Sequence, residues 1–169
     1  MQRLRQVFFT ILFFQCCVMY ANGEQSGQER IAGVPPHPFV FHLVQAALWD
    51  TAVEAGTVYY PPTYQVDGFT HGTSNPAKLL NVANHFYPEV EGDWYCLRMT
   101  VDSLAKTGVT TIFEGTAPVG DIQPDFDGAD DELFPHIMGG ISPAAVLEVH
   151  EVVRTADGAY VSITGVTEP

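Results

Sequence analysis

The sequence predicts an α+β fold: one domain with a mainly antiparallel sheet and two short helices. Three observations carry this. Short apolar runs bounded by turn residues recur along the chain, only two stretches have helical spacing, and there is no regular alternation of strand and helix of the kind that builds a parallel sheet. The clearest antiparallel signal lies near the C-terminus, where residues 146–154 and 159–163 flank Asp157-Gly158. An Asp-Gly pair accepts the positive φ of a tight hairpin turn.

In chain order, residues 39–44 form an apolar run with His42 embedded in it, a first strand. Residues 45–54 follow with Ala46, Leu48, Trp49 and Ala52, a short helix closed by Gly56. Residues 57–60 read as a brief extended piece, and Pro61-Pro62 then stop regular structure. Asp67-Gly68 is a turn signal, Phe69 and Thr70 suit a strand, and His71 stands at its end. Ser74, ahead of Asn75-Pro76, has the chemistry of a helix N-cap. The helix over 76–87 puts Leu79, Leu80, Val82, Ala83 and Phe86 on one side, with Lys78, Asn81 and Asn84 elsewhere. Residues 94–101 read as a central strand that Asp102-Ser103-Leu104 leave, and residues 110–114 as another strand. The loop over 115–133 carries Asp121, Asp125, Asp127, Asp130, Asp131 and Glu132. It lacks the ligand spacing and closing glutamate of a calcium loop, which favours a solvated acidic lid over a cation site. Phe134-Pro135-His136-Ile137-Met138-Gly139-Gly140 then sets a further histidine among apolar residues and glycines.

The first residues have a basic start, an apolar middle from Val7 to Tyr20 and a small-residue exit at Ala21-Asn22-Gly23. That is the pattern of a secretory signal peptide over residues 1–23. Residues 24–38 read as a flexible leader and 39–169 as the domain, so the expected address is secreted. Cleavage would remove Arg3 and Arg5 and take the formal net charge from −13 to −15. A surface of that sign repels phosphates and anionic headgroups, which argues against nucleic acid and, once the signal is gone, against a membrane. Cys16 and Cys17 would leave as well, so Cys96 remains alone with no intrachain disulfide to form. Its apolar neighbours make it a core thiol rather than a nucleophile.

Three of the six histidines, His42, His71 and His136, lie in strand-like or glycine-flanked apolar settings. His37 is in the leader, His85 is near the end of the long helix, and His150 is expected on the outer face of the hairpin. Buried imidazoles need a partner for each nitrogen, so three in one small domain point to a shared polar cleft. Acid–base chemistry near neutral pH suits such a group. A zinc hydrolase is a weaker alternative, because no two of the three show helical ligand spacing; no residue is assigned to a metal. Ser74 lacks the context of a catalytic serine, and no phosphate loop is present.

Taken together, Phe41-His42-Leu43, Trp49 with Ala52 and Gly56, residues 67–71, residues 82–87 and residues 134–139 resemble the family catalogued as domain of unknown function 952. Two departures are visible: Gly72 stands where the family usually has cysteine, and Met138 where it has tyrosine. The resemblance implies a remote likeness to the ADP-ribosyltransferase fold, whose split antiparallel sheet clamps NAD. His42 would then contact the adenosine-side ribose and His71 would stack near the nicotinamide, with Leu43, Gly72 and Thr73 beside them. The third position, a glutamate in most such transferases, is offered here by His136, with Glu114 the one carboxylate at the end of a strand-like run. That triad points away from ordinary protein ADP-ribosylation, toward phosphate transfer or nucleotide binding. His71-Gly72-Thr73 also resembles the motif that opens the first strand of poly-ADP-ribosylating enzymes, which would shift the register and demote His42. The expectation is thus a secreted domain that binds NAD or a related small nucleotide at His42, His71 and His136, with NAD as substrate and no covalent cofactor. The alternative is a non-enzymatic binding domain whose histidines close a strand junction.

Overall fold

A computed structural model describes residues 37–168. The expected signal segment and most of the leader lie outside them. Seven strands form two antiparallel sheets. In the larger, β1 (Val40–Gln45), β3 (Trp94–Met99), β6 (Glu148–Arg154) and β7 (Tyr160–Ile163) lie in that order. The smaller has the order β2 (Thr70–His71), β5 (Phe134–Ile137), β4 (Thr111–Glu114). The two meet where Phe41 and Thr73 exchange backbone hydrogen bonds of 2.8 and 2.9 Å. The domain is therefore a small α+β unit with a curled antiparallel sheet that divides beside β1.

Alternation along β1 sends side chains to two cores. Val40 and Val44 pack with Trp49, Tyr59, Leu97, Met99, Leu104, Ile137 and Ile141. Phe41 and Leu43 pack with Leu79, Ala83, Trp94, Cys96, Tyr160 and Ile163. Each fully buried leucine or isoleucine here contributes about 1.5–3 kcal/mol by leaving water.

Among the described residues there are four α-helices, not two. The first, α1 (Ala46–Ala55), buries Ala46, Trp49 and Ala52 and ends where Gly56 takes φ 63°. The one-turn α2 (Tyr64–Asp67) closes on Gly68 at φ 78°. The third, α3 (Leu79–Phe86), turns Leu79, Ala83 and Phe86 inward. Its lead-in is a 3₁₀ turn over Pro76–Lys78, and the residue that caps it is Asn75, whose side chain accepts from the Ala77 N–H, rather than Ser74. The fourth, α4 (Val101–Lys106), begins with a reciprocal capping box in which Thr100 and Ser103 satisfy each other's backbone N–H groups.

Two polar clamps fix the larger sheet. Asn84 on α3 accepts from the Tyr160 N–H and donates to the Tyr160 carbonyl, both at 2.8 Å, on the free edge of β7. Arg154 donates to the carbonyls of Pro88, Val90, Gly92 and Gly158 and lies 4.4 Å from the Tyr160 ring centre.

The hairpin forms as expected, with its faces reversed. His150 pairs with buried Cys96 and turns inward, donating through Nδ1 to the Thr164 carbonyl at 3.0 Å. Val149 and Val153 are the exposed residues. The burial of Cys96 pushes its thiol up to about 12, in keeping with a core thiol.

Candidate functional site

The smaller sheet brings two histidines side by side. His71 on β2 and His136 on β5 are register partners, so their rings share a face, with centres 6.1 Å apart. Phe69, two residues before His71, falls on that same face and stacks on His136 at 4.0 Å with the rings 19° apart. On the other side of β5, Ile112 is the partner of His136. Glu114, two residues on, returns to the same face, and its Oε2 lies 3.2 Å from His136 Nδ1. The turn at Gly68 folds the Asp67 carboxylate back onto His71, where Oδ2 lies 3.0 Å from Nε2. The other oxygen, Oδ1, accepts from the Gly120 N–H at 3.0 Å. Each imidazole is thus held by its own carboxylate.

These bonds fix the tautomers. A carboxylate only accepts, so His71 carries its proton on Nε2 and His136 on Nδ1. In the neutral rings, Nδ1 of His71 and Nε2 of His136 are then acceptors. Nε2 of His136 is buried with no partner. Burial holds His71 below the ordinary histidine value, opposed in part by the bond to Asp67.

His42 has a different place from the one expected for a catalytic group. It borders the cleft, but its ring stands on the face of β1 shared with Val40 and Val44, 5.7 Å from the ring of Tyr59. Its Nδ1–H donates to the His71 carbonyl at 2.7 Å across the junction of the sheets. Burial drives its imidazole down to about 4. His42 is therefore a neutral positioning residue that grips the backbone of His71 from behind.

In front of the histidine pair lies a cleft lined by Phe41, Leu43, Thr73, Phe86, Phe134 and neighbours. Its hollow totals about 470 Å³ with the space open to solvent, of which about 40 Å³ is reachable by the centre of a water molecule. Among the described residues no lysine or arginine lines it. The acidic loop forms its roof: Thr116, Ala117, Val119 and Phe126 face the cleft. The roof is fastened at several points. Lys78 donates to the Gly128 carbonyl at 2.6 Å and pairs with Asp131 at 2.9 Å. Asn75 donates to Glu132, and His85 Nε2 donates to the Gln123 carbonyl at 2.6 Å. Phe126 packs against His85, Phe86 and Phe134.

Of the residues singled out from sequence, His71 and His136 meet, with Leu43, Gly72 and Thr73 on the cleft wall. His42 supports them without sharing their face. Asp67 and Phe69 complete the site, although the sequence marked them only as turn and strand formers. The useful signal was the short loop from Asp67 to His71, too brief for the carboxylate to go elsewhere once Gly68 reverses the chain. Among the described residues no three His, Cys, Asp or Glu side chains are grouped so that they could hold a metal ion.

Fold and site together define a small α+β domain with a carboxylate-backed histidine pair in an aromatic cleft. The chain belongs to the family described as protein of unknown function (DUF952), whose model matches residues 43–149. It is also similar to the X-ray crystal structure of protein CC0527 from Caulobacter crescentus, at 16% identity and a TM-score of 0.54, over 72% of this chain and 92% of that one. A double mutant of that protein aligns equally, at 15% identity. No curated protein matches the chain significantly.

Proposed function

We propose that this is a secreted domain of ADP-ribosyltransferase-like fold that binds NAD or a related nucleotide in the cleft, ring end inward, as a candidate ADP-ribosyl-transfer enzyme. The observation that carries this is the pairing of His71 with His136, each oriented by a carboxylate, in an aromatic cleft beside the division of the sheet. An imidazole whose far nitrogen is held by a carboxylate is oriented to take or give a proton at the near one. Phe41, Phe86, Phe126 and Phe134 line the cleft and offer surfaces against which a planar ring can pack. With a ring seated in the cleft, the rest of a dinucleotide would extend past the roof toward solvent.

Calorimetric titration with NAD and with ADP-ribose tests the proposal. Saturable heat is expected from the folded wild-type protein, lost in His71→Ala and kept in His150→Ala, since His150 is not among the residues that line the cleft. Absence of heat with millimolar NAD on a folded protein would remove the proposal. A second reading, a non-enzymatic binding domain, is favoured by one observation: His42, His71 and His136 each spend one nitrogen on a hydrogen bond within the domain. It predicts binding without turnover of NAD.

A further inference from the structure

We infer that the cleft selects a planar ring carrying an N–H donor and no negative charge, an amide or exocyclic amine rather than a carboxylate or phosphate. The inference rests on the proposal above that the cleft takes a ring, and adds which chemistry that ring must show.

The argument starts from the lone pairs. Glu114 fixes the proton of His136 on Nδ1 and Asp67 fixes that of His71 on Nε2, so both rings bordering the cleft present acceptors. Nε2 of His136 is buried without a partner, and a buried polar atom left unpaired is a standing cost to the fold. A ligand N–H recovers that cost. A carboxylate or phosphate oxygen brings lone pair against lone pair and repels.

The surroundings reinforce the sign. The cleft has no lysine or arginine among the described residues that line it. Lys78, which reaches the roof, is committed to Gly128 and Asp131. Asp67 and Glu114 stand directly behind the two rings, and the chain as a whole is strongly acidic. Any anion entering would be desolvated with no fixed cation to meet it. The remaining walls are apolar or hydroxyl-bearing: the Thr73 hydroxyl can donate or accept, while that of Thr116 donates to the Ala129 carbonyl. Sites that hydrogen-bond a particular group discriminate sharply against an isostere lacking it, because the protein group is then left unpaired.

Nicotinamide and nicotinate are isosteric and differ in this one feature. Titrating the full protein with each at pH 8, alongside NAD, should show nicotinamide binding at least tenfold tighter than nicotinate. Glu114 is more than half exposed, so Glu114→Gln should fold. A glutamine amide can accept or donate, which frees the proton of His136 to move to Nε2, and the preference should shrink by severalfold while thermal stability stays within a degree or two. Equal affinity for the two ligands, or tighter nicotinate, overturns the inference and leaves the NAD proposal standing. Failure of all three ligands on folded protein removes both. An unchanged nicotinamide preference in Glu114→Gln overturns the tautomer argument.

Discussion

Acidification should destabilise this domain through His42. Burial holds that imidazole at about 4 against an ordinary 6.5, and its free nitrogen Nε2 is enclosed without a partner, so protonation would bury an unpaired charge. Between those two values the unfolded chain binds a proton that the folded chain refuses. Stability therefore rises with pH across the interval: the contribution is fully present above about 6.5 and is lost as pH falls to about 4. The gap of about 2.5 pH units, at about 1.36 kcal/mol each, amounts to about 3 kcal/mol. Urea denaturation at pH 7, 6, 5 and 4 would measure it, with His42→Gln as comparison. The glutamine amide can still donate to the His71 carbonyl but has no proton to gain. The wild type should lose about 3 kcal/mol more than the variant between pH 7 and 4. Parallel profiles would refute the reasoning.

Three further outcomes are expected. At Gly140 a Cβ would collide with the Tyr59 carbonyl and sit 2.6 Å from Val58, so Gly140→Ala must break the Tyr59–Ile141 bridge; a loss of about 3 kcal/mol by chemical denaturation is expected. Arg154→Met strands the carbonyls of Pro88, Val90, Gly92 and Gly158 and should lower the melting temperature by roughly 10 °C, with Arg154→Lys recovering little because one ammonium cannot span the same fork. Lys78→Met removes the fastening of the roof near Gly128 and Asp131, and limited proteolysis should then cut within residues 120–132 faster than in wild type, while the secondary structure seen by circular dichroism is unchanged.

Much of the fold was legible because local rules decided it. Gly56 and Asp157-Gly158 punctuate the chain where the backbone requires positive φ, at 63° for Gly56 and 92° for Gly158. The spacing of Leu79, Ala83 and Phe86 marks the buried side of α3. Local rules failed where tertiary pairing chose between two readings. In Val149-His150-Glu151-Val152-Val153 the alternation is clear, but only the pairing of His150 with Cys96 says which face meets α3. The capping box of α4 uses Ser103 in place of the usual glutamate and was read as a strand end. At the site, His71 and His136 were legible as polar groups in apolar settings. Their pairing was not, because it depends on the register of two strands more than 60 residues apart, and neither were the roles of Asp67 and Glu114.

The clamp that Asn84 places on Tyr160 has a consequence outside the folded monomer. β7 is the free margin of the larger sheet, with exposed Val161 and, one strand in, exposed Val149 and Val153: the features that invite another chain to add a strand. The Asn84 amide occupies both backbone groups of Tyr160 as a neighbouring strand would, and the Thr167 hydroxyl takes the Ile163 N–H. Three side-chain atoms thereby occupy backbone groups that would otherwise be part of the template on which intermolecular β-aggregation grows.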